Sequence, residues 1–557
     1  MAPASKVAVL MVGAGEYNCG LVMTPSGDAA PDKPAGVVGL VLFDLRRRGL
    51  LERILLCDAA GTRLPAARAA MARKIGAVYR GLDVTVECHP RDDVAFDATA
   101  YEGAMDTMAR GDAVIVFTPD DTHAAIAHAA IARGLHVLVA KPLVKGLAQH
   151  RALRDAAEGA GVLAAVEYHK RWDPVYADAR ERCLRMGPVS YFYAAMTQRR
   201  EQLDTFAAWA GRSSDISYYL NSHHIDVHCW IMAGRGRPVR VTAAASAGVA
   251  NARLGRGGVE DTITLLAAWD NYEPDAAGGA SSGHAVYMAS WAAPTADCHT
   301  QQGFHVMSHR GEVRADQAHR GYTISADTDA GGTGGLQAMN PLYMRYQPGP
   351  GGEFVGQTGY GYRSIEAFVA AAQAVRDGAA SVRGLVDAGA LATAQATLVV
   401  TAILEAGRRS LDAGGAAVRI LYDADGPAGE PVGFAGGAGP WAEYPGARRA
   451  TCTADPGPWG ARAAVPSWRA RAACQRTRHA PRHARAPRAR GRGAARAARD
   501  DRRRWRDRAA LPRPLFLACS AAHGARFRCG KRGLGSSLIV SQSPSPSPPS
   551  PSRESVP

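Results

Sequence analysis

The sequence predicts an α/β protein in two folded parts with a tail: a parallel sheet covered on both faces, then an α+β part with a largely antiparallel open sheet, then a disordered C-terminal segment. Three observations predict this. Up to about Val166, short β-branched runs alternate with longer stretches whose apolar residues recur at helical spacing. Beyond Arg171, strand candidates follow one another with few helices between them. After Tyr422 the chain turns rich in Gly, Pro, Ala and Arg, leaving few aromatic or β-branched residues to build a core. At 557 residues the chain exceeds what one core supports. The expected boundaries are 1–166, 167–422 and 423–557.

In the first part, Val7 to Val12, Arg53 to Cys57, Val84 to Glu87, Ala113 to Phe117 and His136 to Val139 read as buried strands. Leu64 to Tyr79, Ala100 to Arg110 and Thr122 to Arg133 read as helices. Strand alternating with helix means right-handed crossovers and a parallel sheet. In the second part the strand candidates are Val189 to Met196, Val239 to Ala247, Thr262 to Trp269, His284 to Trp291 and Gly303 to His309. Two helices, Ser364 to Arg376 and Ala388 to Ser410, and a last strand at Val418 to Leu421 close it.

Charge separates the parts from the tail. Residues 423–557 hold 25 basic and 9 acidic side chains, against 41 and 42 in residues 1–422. A nearly neutral surface gives no long-range attraction for phosphates, so residues 1–422 are not expected to bind nucleic acid or acidic lipid. The tail arginines suit either a disordered segment or a nucleic-acid-binding arm, and interleaved aromatics for the latter are missing. No Cys-x-x-Cys pair is present, so no zinc site or disulfide framework is indicated. No run reaches membrane-spanning length and the N-terminus lacks the order of a signal peptide, which makes a cytoplasmic protein the expectation.

Gly13-Ala14-Gly15-Glu16-Tyr17-Asn18 directly follows the first strand, where a Rossmann dinucleotide-binding domain needs a tight turn and close backbone approach to a pyrophosphate. Asn18 replaces the usual third glycine, and an ordinary strand-ending turn would read the same way. Asp58 ends the second strand, where a carboxylate accepts ribose hydroxyls and repels a 2′-phosphate, while Arg63 nearby could answer one. Either NADH or NADPH is therefore the expected cofactor, with a lean to the former. Lys141 ends a later strand, and Pro142 fixes the turn behind it. A lysine at that edge can polarise a carbonyl and pass a proton.

The stretch Ala113 to His123, with Thr118-Pro119 and His123 opening a helix, continues through Gly134-Leu135-His136-Val137 to Lys141-Pro142. It resembles the Gfo/Idh/MocA family of nicotinamide-dependent sugar oxidoreductases, whose Glu-Lys-Pro here reads Ala140-Lys141-Pro142. That resemblance places Thr118, Pro119, His123 and Lys141 at the cofactor. Tyr219-Leu220-Asn221-Ser222-His223-His224-Ile225-Asp226 is similar to the family's Asp-x-Gly-x-His segment and puts His223 on its catalytic histidine. Tyr219 stands where the family has Asp, and Asn221 where it has Gly. His223, with an ordinary pKa near the working pH, is then the expected proton carrier. Tyr219 or Asn221 orients substrate hydroxyls, and His224 lies alongside. Three histidines beside Asp226 do not make a metal site, since no further ligand cluster is evident.

Glu167-Tyr168-His169-Lys170-Arg171-Trp172-Asp173-Pro174 resembles the family's entry to the substrate domain, with Tyr168 lining the site and Lys170 and Arg171 as a cationic edge able to clamp a carboxylate. Arg363 is a second candidate near the sugar. Phe43 to Gly49, Val166 to Arg171 and Ser214 to His224 resemble the branch containing eukaryotic D-galacturonate reductases. The implied reaction passes hydride between NAD(P)H and a sugar or sugar-acid carbonyl, D-galacturonate to L-galactonate foremost. An inositol or diol dehydrogenase, a non-catalytic dinucleotide-sensing regulator and a redox-assisted glycoside hydrolase are the other readings. The family's open sheet face implies a homodimer.

Overall fold

The computed structural model describes residues 5–24, 27–28, 33–295, 300–317, 321–324 and 337–437. The tail expected to be disordered lies outside the described residues from 438 onward.

Six strands form the first sheet: β1 (Val9–Val12), β2 (Ile54–Cys57), β3 (Glu87–His89), β4 (Ala113–Val116), β5 (His136–Val139) and β6 (Ala164–Val166). They run parallel in the order β3-β2-β1-β4-β5-β6. Every residue of β1, β2, β4 and β5 is buried, as a sheet covered on both faces requires of such apolar runs. Strand order reverses between β1 and β4, so a crevice opens beyond their carboxyl ends. Six helices belong to this part: α1 (Glu16–Cys19), α2 (Val38–Arg47), α3 (Leu64–Met71), α4 (Ala100–Met105), α5 (His123–Ala132) and α6 (Leu147–Ala160).

After β6 comes α7 (Pro174–Cys183), capped by the Asp173 side chain, which accepts from the Val175 amide at 2.9 Å. The second sheet holds β7 (Val189–Arg199), β8 (Gly236–Ala247), β9 (Glu260–Asn271), β10 (Ser282–Ala293), β11 (Thr300–Ser308), β12 (Gly311–Asp316), β13 (Val418–Tyr422) and β14 (Pro431–Ala435). Their order is β12-β11-β7-β10-β9-β8-β13-β14. β7 and β10 run parallel and the other neighbours antiparallel, so the sheet is mixed, though largely antiparallel as expected. The longer helices of this part are α8 (Ser222–Met232), α9 (Tyr360–Arg376), which returns to the first sheet, and α10 (Ala394–Asp412).

Three expectations are corrected. The sheet does not stop at 422, because β14 pairs with β13 beyond that point. β12 was not anticipated, and the strand expected at Val84 to Glu87 forms at Glu87–His89. Finally, the division at 166/167 is not a division in space. Ile365, Phe368, Val369 and Ala372 of α9 lie in the same apolar cluster as Val9, Met11 and Ile115, and the Val166 amide donates to the Ala392 carbonyl at 2.8 Å. The returning chain thus braces the edge of the first sheet from which Lys141 and Glu167 emerge. Among the described residues, no helix is long and apolar enough to cross a membrane.

Candidate active site

The turn after β1 is shaped for close approach. Gly13 sits at φ +100°, and a Cβ there would lie 2.4 Å from the Phe117 carbonyl oxygen. A Cβ on Gly15 would meet nothing within 4 Å, so that side faces open space. Asn18 stands in for a third glycine by knitting the turn to itself, its Nδ2 donating to the Val12 and Gly13 carbonyls at 3.1 and 2.6 Å. Glu16 accepts from the Lys33 amide at 3.0 Å, which ties the inserted loop to the turn. Asp58, buried at the end of β2, accepts from the Ala14 and Ala60 amides at 2.8 and 3.0 Å. Arg63 Nη1 also donates to its two oxygens, at long distances of 3.5 and 3.4 Å that a ribose hydroxyl could replace. Cradle, open side and acceptor set together fit a dinucleotide. Gly13→Ala is expected to raise the NADH dissociation constant at least about tenfold, since alanine is strained at that φ and collides with Phe117; a fluorescence titration checks it.

Thr118 and Pro119 follow β4, and Thr118 Oγ1 accepts from the Thr122 hydroxyl at 2.7 Å. His123 is fully buried, with Nδ1 3.0 Å from the Pro142 carbonyl and Nε2 2.9 Å from the Thr118 carbonyl. Both nitrogens are occupied, so His123 pins the loops after β4 and β5 together instead of reaching a ligand.

Lys141 leaves the end of β5 and crosses to the second part. Its Nζ donates to the Tyr219 carbonyl at 2.5 Å and stands 3.8 Å above the centre of the Tyr219 ring, a cation–π contact. Burial pulls the ammonium down to about 7, and the nearby charges of Asp120 and Glu167 restore part of that loss while Lys33 adds to it. His223, on the first turn of α8, follows four residues after Tyr219, whose carbonyl receives the Lys141 ammonium.

His223 does not fit the proton-carrying role expected of it. It is 4% exposed, and burial first, then Lys141, His169, Lys170 and His224, hold its pKa well below the ordinary imidazole range. It is neutral at working pH, and its Nδ1 has no hydrogen-bond partner among the described residues. Tyr219 spends its carbonyl and ring on Lys141, and its ring packs 4.8 Å from Phe206. Asn221 is buried with its Nδ2 given to Ser217 Oγ at 3.0 Å and the Ile263 carbonyl at 3.3 Å, so it does not reach for substrate as expected. His224 faces Tyr176, whose hydroxyl lies 3.1 Å from Nε2.

The expected carboxylate clamp is also corrected. Arg171 makes two parallel hydrogen bonds to Asp226, at 2.9 and 2.6 Å, with its side chain 4% exposed and that of Asp226 fully buried. This guanidinium is a structural strut joining the segment after β6 to α8. Lys170 is buried as well, donating to Gln302 Oε1 and, at 2.6 Å, to Gln317 Oε1; Gln317 in turn donates to the Tyr360 hydroxyl. Arg363 is exposed on α9. Tyr168 is buried with its ring edge-on to His223 at 6.4 Å.

Two residues of the site, Glu167 and His169, belong to the segment that enters the second part, where sequence alone gives them no role. His169 lies 5.1 Å from His223, ring to ring, and its Nδ1 is 2.9 Å from Glu167 Oε2. Their position just past β6, beside the strand that delivers Lys141, was the available signal. Gln302 lies on β11 and Gln317 just past the end of β12, and nothing local marks them.

Residues 80–168 match the model of a family described as an oxidoreductase family with an NAD-binding Rossmann fold. Over 134 residues the chain is 32% identical to the uncharacterized oxidoreductase YdgJ of Escherichia coli K12, a stretch covering 24% of this chain and 38% of that protein. Over 123 residues it is 38% identical to the scyllo-inositol 2-dehydrogenase (NAD(+)) of Bacillus subtilis 168, covering 22% and 35%. The chain thus spans little more than a third of the length of these relatives. Among solved structures, GenD2 from gentamicin A biosynthesis in complex with NAD matches over 75% of this chain and 97% of that one, at 21% identity and a TM-score of 0.48. Scyllo-inositol dehydrogenase from Lactobacillus casei matches over 74% and 99%, at 15% identity and a TM-score of 0.47.

Proposed function

We propose that the chain acts as an oxidoreductase of the Gfo/Idh/MocA kind and interconverts an alcohol and a carbonyl on a neutral polyhydroxylated small molecule, an inositol or an aldose. Bound nicotinamide supplies or accepts the hydride. Lys141 handles the proton: as the amine it takes the proton of the substrate hydroxyl, and as the ammonium it returns one to the carbonyl oxygen. His223, neutral, supplies a hydrogen bond to the same oxygen. The observation that carries this reading is the Lys141 ammonium buried against the Tyr219 carbonyl and ring and brought down to about 7, with a buried His223 nearby whose Nδ1 has no partner among the described residues.

A uronic acid such as D-galacturonate, reduced to L-galactonate, needs a cation for its carboxylate. Arg171 is bonded to Asp226, and Lys170 lies between two glutamines, which favours a neutral substrate over that finer reading. Similarity to a scyllo-inositol 2-dehydrogenase supports the same choice. Asp58 at the ribose position favours NADH over NADPH.

One set of assays tests the proposal. Scyllo-inositol, myo-inositol, D-glucose and D-galacturonate are offered with each cofactor, and a preference of more than about tenfold for D-galacturonate would reject the neutral-substrate reading. The pH profile is the second readout. Oxidation needs the free amine of Lys141, so kcat/KM for the alcohol rises with pH and levels off above about 7; reduction needs the ammonium and falls above the same point. A profile controlled by a group near 10 would reject Lys141 as the proton carrier.

A further inference from the structure

His169 is a second imidazole beside His223, and its orientation is built from three sides. Glu167 and Lys141 emerge from neighbouring parallel strands, since Val139 and Val166 are in register and the Glu167 amide donates to the Val139 carbonyl at 2.8 Å. Ser364, on the helix that braces this edge, donates to Glu167 Oε1 at 2.5 Å. The other carboxylate oxygen lies 2.9 Å from His169 Nδ1. Tyr360 stacks on the imidazole at 5.6 Å and 21°, Tyr343 meets it edge-on at 5.5 Å, and His223 lies 5.1 Å away.

A carboxylate on Nδ1 fixes the tautomer that carries its proton there, leaving Nε2 as an acceptor. Nδ1 is the ring nitrogen that is engaged among the described residues. An acceptor beside Lys141 and His223 has one natural donor on a polyol, a hydroxyl next to the carbon undergoing reaction, because the reacting oxygen itself is met by those two groups. The turn before the helix bearing His223 carries Tyr219 in place of a carboxylate, and Glu167 brings one to His169 from the end of β6.

We infer that His169 accepts, through Nε2, a hydrogen bond from the substrate hydroxyl adjacent to the reacting carbon, and that Glu167 is the positioning residue that fixes its tautomer. This rests on the oxidoreductase reading above. The full chain, with His169→Phe and Glu167→Gln variants, is assayed with NAD+ on two pairs: scyllo-inositol against its monodeoxy analogue, and D-glucose against 2-deoxy-D-glucose. Wild type is expected to favour the fully hydroxylated member by about 30-fold in kcat/KM, the size of a hydrogen bond to a polarised partner. His169→Phe keeps the aromatic packing and is expected to bring that ratio to within about threefold by losing efficiency on the hydroxylated member alone. NADH affinity stays within about twofold, because neither residue belongs to the turn after β1. If the His169→Phe chain does not fold, Glu167→Gln carries the test, with its ratio falling about fivefold. Equal losses on both members of a pair, with the ratio kept, would assign the dyad a structural role and overturn the inference alone. A wild-type chain that turns over neither pair would overturn the oxidoreductase reading and this inference with it.

Discussion

Lys141→Met is expected to remove turnover in both directions, by about 10⁴-fold in kcat, with NADH binding kept within a few-fold. Methionine fills much the same space without charge or exchangeable proton, so the substrate oxygen loses its proton partner and its electrostatic support together. The dinucleotide cradle at Gly13, Gly15 and Asp58 lies on other strands and is left as it was. Lys141→Arg sharpens the point. A guanidinium keeps the positive charge but is not deprotonated in proteins, so it cannot serve as a base. Both directions should therefore stay far below wild type at every pH, because a group that does not release a proton can neither take one from the alcohol nor return one to the carbonyl oxygen. Wild-type turnover in the methionine variant, measured as NADH formation or loss, would remove Lys141 from the chemistry.

The four inner strands of the first sheet, β1, β2, β4 and β5, were legible because they are short, apolar and wholly buried, whereas β3 is partly exposed and formed away from its expected run. Ala113 to Val116 and His136 to Val139 formed where their runs lie. α2 left no signal, since all but two of its ten residues are buried and no polar face marks its period, and the Gly- and Pro-rich insert before it hides its start. β12 and β14 were missed for a different reason. They lie at the two edges of the second sheet, where Gly311, Glu312, Pro431 and Gly433 are tolerated because one side of the strand has no partner to satisfy.

The site divides the same way. Lys141 and His223 were readable because each sits in a motif tied to an element end, and topology brings those ends together. What each group does chemically was not readable. His223 has an ordinary residue type for a proton carrier, yet its burial among Lys141, His169 and Lys170 keeps it neutral, and the titration near neutrality passes to the lysine. Arg171 looked like a ligand for carboxylates because arginine so often is one. Its carboxylate turned out to belong to the chain, on a residue that the fold alone brings to it.

That pairing carries the second large effect. Asp226→Ala leaves the Arg171 guanidinium buried without a counter-ion, a change that costs about 3–5 kcal/mol in comparable pairs and should lower the melting temperature by roughly 10 °C. Removing both charges as Arg171→Met with Asp226→Leu should recover most of the loss, because well-packed apolar side chains replace a buried ion pair at little cost. The comparison also bears on substrate choice. If Arg171 serves only as a strut, the double variant keeps the wild-type order of efficiencies on neutral polyols and on D-galacturonate. If thermal melts show Asp226→Ala to be nearly as stable as wild type, while D-galacturonate is used more efficiently, then the guanidinium is available to substrate after all, and the neutral-substrate reading fails at its main support.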